Sequence, residues 1–112
     1  MNPATVYQPG RILSSKEGAQ VIAWTKSAIE LDGRYLLLDF SGTSFMDSSG
    51  LGAIVVASKH ARQQNKKFAL CSLSGQARML LEISDMEAQF EIFRDRQDFD
   101  RHLLETLDPN AP

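Results

Sequence analysis

Two stretches of this sequence, Tyr35-Leu36-Leu37-Leu38-Asp39-Phe40 and Phe68-Ala69-Leu70-Cys71-Ser72-Leu73, are almost unbroken in apolar character. A strand with one wet face alternates polar and apolar residues. A short run without that alternation, bounded by turn residues, reads as a strand covered on both faces. Such strands belong to parallel sheets, whose neighbours need crossover helices between them. The segments around the two runs supply the helical periodicity. Ser14-Ser15-Lys16-Glu17 has the form of a capping box and predicts a helix to about Glu30, with Val21, Ile22, Thr25, Ala28 and Ile29 inward. Trp24 lies beside that stripe, placed for the core or for a partner contact, and Asp32-Gly33 ends the helix. A second helix is predicted over 48–64, with Leu51, Ile54, Val55 and Ser58 on its inner face. A third runs from Gly75 to Ser84, with Leu80 and Ile83 inward and Arg78 and Glu82 outward. Thr5–Gln8 and Phe90–Phe93 read as short strands, and Asp95 can cap a last helix on which Phe99, Leu103 and Leu107 recur.

Strand and helix therefore alternate throughout, which gives an α/β fold with a small, mostly parallel sheet, about four helices and right-handed crossovers. At 112 residues the chain suits one domain over 1–112, with a core at about 5–107 and a flexible tail at 108–112. A net charge of −2 gives no electrostatic reason to bind nucleic acid or an anionic membrane. No apolar run approaches the roughly 20 residues that span a bilayer. The opening MNPATVYQPG has neither a basic n-region nor an apolar h-region, which argues against secretion. A single cysteine, Cys71, excludes an internal disulfide, reads as a buried core thiol and suits a cytoplasmic protein.

In parallel sheets, sites gather at the carboxyl ends of strands beside helix N-termini. Phe45-Met46-Asp47-Ser48-Ser49-Gly50-Leu51-Gly52 occupies such a place. Asp47 fits the N-cap, with Met46 and Leu51 as a hydrophobic staple. Ser48 becomes the first helical residue, its hydroxyl turned to solvent. Gly50 and Gly52 each cost about 1 kcal/mol relative to alanine in a helix. They mark a close approach, either by a neighbouring strand or by a partner.

Ser48 has no base of the kind a nucleophile needs. His60 lies about 18 Å further along the helix, and His102 is in the polar part of the last helix. Both histidines read as surface or capping groups. There is no nucleophile elbow, P-loop, dinucleotide-binding glycine pattern, cofactor motif or metal-ligand spacing, so the chain is not read as an enzyme. Ser48 fits better as a substrate. A helix N-terminus tolerates a phosphate, by about 0.3–1 kcal/mol. The modification adds about −1.5 to −2 charges to the surface, which an interface built around a neutral hydroxyl would reject.

The run Ser44-Phe45-Met46-Asp47-Ser48-Ser49-Gly50-Leu51-Gly52 resembles the signature of the STAS domain of bacterial anti-sigma-factor antagonists. The strands at 35–40 and 68–73, the helix-turn from Ala77 to Met86 and Phe90–Phe93 extend the likeness over roughly residues 10 to 100. The resemblance implies a mixed sheet of four to five strands with helices largely on one side. It also implies a partner switch. The unphosphorylated antagonist binds an anti-sigma factor that is a serine/threonine kinase with a Bergerat-type ATP site, and so releases a sigma factor or another client. The kinase phosphorylates the serine after the aspartate, here Ser48, and a PP2C-type phosphatase restores binding. Asp47 helps place the serine, and Phe45, Met46, Ser49, Gly50, Leu51 and Gly52 complete the contact. Gly10-Arg11-Ile12-Leu13-Ser14 departs from the family's Gly-acidic-apolar-Asp turn, with Arg11 for the acid and Ser14 for the aspartate. The first hairpin is thereby reduced to one strand or two fragments, which leaves an apolar edge open to pairing with a second copy as a homodimer. The polar run from Phe93 to Asp98 reads as a solvated helix start or a partner contact. The alternative to a switch is a constitutive STAS scaffold or sensor, indifferent to Ser48.

Overall fold

The run at 35–40 forms the centre of the sheet. A computed structural model describes residues 4–107, so the tail expected over 108–112 and the side chain of Leu107 lie outside the described residues. Strand β1 (Ala4–Tyr7) leads to β2 (Ile12–Leu13) and helix α1 (Ser15–Ala28). Strand β3 (Tyr35–Asp39), strand β4 (Phe45–Met46) and helix α2 (Ser48–Gln63) follow. Then come β5 (Lys67–Cys71), α3 (Gly75–Ile83), a 3-10 turn at Glu87–Gln89, β6 (Glu91–Phe93) and α4 (Arg96–Leu107). The main sheet has the order β1-β3-β5-β6, and each of its pairings is parallel.

The continuous apolar runs have the expected cause, since β3 is buried along its whole length. Leu36, Leu38, Phe68 and Leu70 face a core completed by Val21 and Ala28 of α1, Leu51, Ile54, Ala57 and Ala61 of α2, and Ala77 and Leu81 of α3. Tyr35, Leu37, Ala69 and Cys71 point the other way, to Phe99 and Leu103 of α4. Each fully buried leucine or phenylalanine stabilises the fold by roughly 1.5–3 kcal/mol relative to an exposed one. Burial first, and then the neighbouring Asp39, push the Cys71 thiol up to about 11, so it is an unreactive core group. Trp24 stacks on Tyr7 with ring centroids 5.2 Å apart and packs against the larger core. Asp95 caps α4 by accepting the Asp98 N–H at 2.8 Å.

Two features differ from the sequence reading. Residues 45–46, which the sequence assigns to no strand, form β4, paired in parallel with β2 so that Ile12 lies opposite Phe45 and Leu13 opposite Met46. Leu13 and Met46 are fully buried, whereas Ile12 and Phe45 face outward. Strands of two residues are too short to show a period. On α3 the inward residues are Ala77 and Leu81, and Ile83 is 75% exposed. Ile83 lies two positions beyond Leu81, about 200° around the helix, so both cannot face the sheet.

The two glycines of α2 separate cleanly. A Cβ on Gly50 would lie 2.1 Å from the Leu13 carbonyl oxygen, so the β2 backbone is what approaches there. A Cβ on Gly52 would meet nothing within 4 Å. Gly50→Ala should therefore destabilise the fold by about 1–3 kcal/mol through overpacking against rigid backbone. Gly52→Ala should be neutral or stabilising by up to about 1 kcal/mol. Urea unfolding of the two variants checks this, and equal effects would contradict the packing described.

Candidate functional site

The segment 45–48 is built where three helices begin. β2 fixes one side of β4. The Phe45 N–H donates to the Arg11 carbonyl at 3.2 Å, and the Asp47 N–H donates to the Leu13 carbonyl at 3.3 Å. The other side of β4 meets the first turn of α3. The Met46 N–H donates to Gln76 Oε1 at 2.8 Å, and Gln76 Nε2 donates back to the Met46 carbonyl at 2.8 Å. Asp47 is the N-cap of α2, and its Oδ1 accepts the Gly50 N–H at 3.0 Å. Its Oδ2 accepts the hydroxyl of Ser14, itself the N-cap of α1, where the capping box with Glu17 forms. One carboxylate thus ties two helix starts together. The Ser14 hydroxyl first, and then the Gly50 N–H, hold the Asp47 carboxyl below its ordinary value of 3.8.

Ser48 begins α2 and is exposed, with no hydrogen-bond partner for its hydroxyl among the described residues. Ser49 and Gly52 are exposed beside it, and Asp47 is half-buried. Phe45 is 44% exposed, next to Ile12 at 48%. Val56, one turn past Gly52 on α2, is 42% exposed. These small and apolar groups give an exposed surface along β2, β4 and the first half of α2, with the serine at the start of the helix. Met46, Gly50 and Leu51 are different, because all three are buried. Met46 and Leu51 turn their side chains into the core and Gly50 packs its backbone under the Leu13 carbonyl, so all three support that surface from beneath and do not reach it. No sequence motif marks Ile12 or Val56, although Val56 follows Gly52 at helical spacing.

The two histidines do not converge on Ser48. His60 is half-buried in the latter part of α2. His102 is more than a surface group, because its Nε2 lies 3.0 Å from the Tyr35 hydroxyl, which also reaches Glu91 Oε2 at 3.2 Å. This cluster pins α4 to the opposite face of the sheet from α2, with Phe93 and Phe99 packed alongside. Burial first, and then Glu91, push the Tyr35 hydroxyl up to about 12. Among the described residues no group of three His, Cys, Asp or Glu side chains could hold a metal ion. Among those residues, too, no helix is long and apolar enough to cross a membrane. A cleft lined by Leu73, Arg78, Leu81, Glu82, Glu87 and Ile92 has a volume of about 40 Å³, far below that of an organic-ligand pocket.

The STAS domain family matches residues 13–99. The chain is 37% identical over 71 residues to the anti-sigma-B factor antagonist of Listeria monocytogenes, covering 60% of this chain and 62% of that protein. The chain spans 62% to 63% of the length of the curated relatives it matches. Its fold is similar to the crystal structure of a putative anti-sigma factor antagonist from Thermotoga maritima, with a TM-score of 0.81 at 17% identity, covering 93% of this chain and 90% of that one. It is also similar to the anti-sigma factor antagonist SpoIIAA in its unphosphorylated form, with a TM-score of 0.68 at 17% identity, covering 95% of this chain and 93% of that one.

The Ser14–Asp47 contact is testable by titration. Ser14→Ala removes the donor that most depresses the Asp47 carboxyl, so its pKa should rise towards 3.8. A carboxyl depressed in the folded chain adds stability above its unfolded value, and that stability is lost as pH falls through the folded value. The variant should therefore be less stable than the parent at about pH 7, and the part of the difference due to Asp47 should fade on acidification. A pH-independent loss of about 1 kcal/mol from the α1 cap should remain. NMR titration of the Asp47 carboxyl checks the shift, and superimposable curves would reject it.

Proposed function

This chain belongs to the STAS domain family, and we propose that it is an anti-sigma factor antagonist, a non-enzymatic cytoplasmic switch controlled by phosphorylation of Ser48. The observation that carries the reading is the position of Ser48: an exposed hydroxyl at the first residue of α2, on a segment whose backbone is fixed from both sides. The name of the Listeria relative supports the same reading.

In the unmodified state the chain docks on an anti-sigma factor that is a serine/threonine kinase with a Bergerat-type ATP site. Ile12, Phe45, Ser49, Gly52 and Val56 form the contact, while buried Met46, Gly50 and Leu51 shape it from below. Gly52, with open space above it, lets the partner come close to the α2 backbone. The kinase transfers the γ-phosphoryl group of ATP to Ser48 Oγ. A new P–O bond forms as the bond to ADP breaks, and the hydroxyl proton passes to a base of the kinase. The resulting phosphate sits at a helix N-terminus, where free N–H groups and the helix dipole favour an anion. The fold therefore keeps its shape. The docking surface does not keep its chemistry, because about −1.5 to −2 charges now stand beside Asp47 and the apolar Phe45 and Ile12. A like-charge or unpaired-charge contact of this kind costs several kcal/mol in an interface. A PP2C-type phosphatase reverses the change, so that release of a sigma factor is set by the balance of kinase and phosphatase.

Incubation with ATP and anti-sigma kinases encoded beside this chain's gene, followed by mass spectrometry, should place one phosphate on Ser48. Ser48→Ala should bind the kinase as the parent does and resist modification. Ser48→Asp should bind at least tenfold more weakly, roughly 1.4 kcal/mol or more. Equal binding by the two variants would return the chain to the reading of a constitutive scaffold.

A further inference from the structure

The two-residue strand β4 has a partner strand on one side only. Its other side is closed by a side chain. Gln76, on the first turn of α3, makes two 2.8 Å hydrogen bonds to one residue, accepting from the Met46 N–H and donating to the Met46 carbonyl. A carboxamide carries a donor and an acceptor at the spacing of a peptide group, so it completes the ladder as a neighbouring strand would. Met46 lies directly before the Asp47 cap and two residues before Ser48, and its own side chain is fully buried. Gln76 itself is exposed. Its interaction is therefore not a demand of the core. An apolar or charged residue could occupy that position without creating a cavity.

We infer that Gln76 is a positioning residue, which holds the β4 backbone so that the Ser48 hydroxyl is presented in one place. The inference rests on the reading of Ser48 as the phosphate acceptor and adds a residue from a separate helix to that site. The reason is geometric. Phosphoryl transfer needs the attacking oxygen in line with the γ-phosphorus, and a displacement of about 1 Å can cost on the order of a hundredfold in rate. Asp47 fixes the turn into α2 from the α1 side, and Gln76 fixes the residue before it from the α3 side. Loss of the clasp leaves both Met46 peptide groups bonded to water and frees β4 on its α3 side, while its pairing with β2 remains. Phe45 stays held to β2 through its N–H bond to the Arg11 carbonyl, and Ile12, Gly52 and Val56 lie outside β4, so the effect should fall on turnover and not on association.

Two measurements on the full chain test this. The first needs no partner: amide hydrogen exchange of Met46 by NMR in the parent, Gln76→Leu and Gln76→Glu. Gln76→Leu should speed Met46 exchange about tenfold, the worth of a lost hydrogen bond, while amides of β3 and β5 exchange as before. Gln76→Glu keeps the acceptor for the Met46 N–H and loses the donor, so its exchange should be intermediate. The second is phosphorylation of Ser48 by the kinase identified with the parent chain, where Gln76→Leu should lower kcat about tenfold or more with KM within about twofold. Met46 exchange unaltered in Gln76→Leu, or faster exchange with unaltered kcat, would overturn the inference. If the parent takes no phosphate on Ser48 with any kinase, the switch reading fails and the assignment of Gln76 to that chemistry falls with it, whereas the Met46 exchange still reports the clasp by itself.

Discussion

One carboxylate, that of Asp47, stands where two helices start. It closes the first turn of α2 through the Gly50 N–H and reaches across to the Ser14 hydroxyl at the start of α1. Backbones must come very close for this to happen. Gly50 lies under the Leu13 carbonyl, and Gly18 lies against Ala53, where an added Cβ would be 2.6 Å from the alanine Cβ. The junction therefore depends on small residues in both helices as much as on the hydrogen bonds. It joins β2, α1 and α2 into one unit, and Gln76 adds α3 through β4.

This unit explains how a surface can be both rigid and open to change. Beneath it, Leu13, Met46 and Leu51 belong to the core shared with β3 and β5. Above it, Ser48, Ser49 and Gly52 are exposed and small, flanked by the larger apolar Ile12, Phe45 and Val56. In the proposed switch, a charge added at Ser48 would stand in this exposed layer and not among the buried residues that support it. The tyrosine, histidine and glutamate that anchor α4 are on the other face of the sheet, away from this surface.

Much of this was visible in the sequence, for identifiable reasons. Burial on both faces leaves a continuous apolar signature, so the runs at 35–40 and 68–73 marked β3 and β5. The start of α2 was legible because Asp47 is a strong N-cap residue and because Met46 and Leu51 sit at the staple positions; both are buried in the same core. The glycine at 50 announced a close approach but not by what, since Leu13 comes from a distant part of the chain. β2 and β4 were hidden by their length of two residues each. α3 offered two apolar stripes, Leu80 with Ile83 and Ala77 with Leu81, and only the sheet beneath it decides between them. Gln76 could not be found at all from the sequence, because its function there is a bond to a backbone that carries no sequence label. The sequence marks Ser14 as a cap for its own helix, and its second bond, to Asp47, is a tertiary contact of the same illegible kind.

In the proposed switch a phosphate on Ser48 changes the surface and leaves the fold alone. Amide correlation spectra of the chain before and after phosphorylation at Ser48 separate these two effects. Shifts should be restricted to residues 45–52 and to Ser14 and Gln76, with the amides of β3 and β5 in place. Shifts spread through β3 and β5, or a collapse of spectral dispersion, would contradict it.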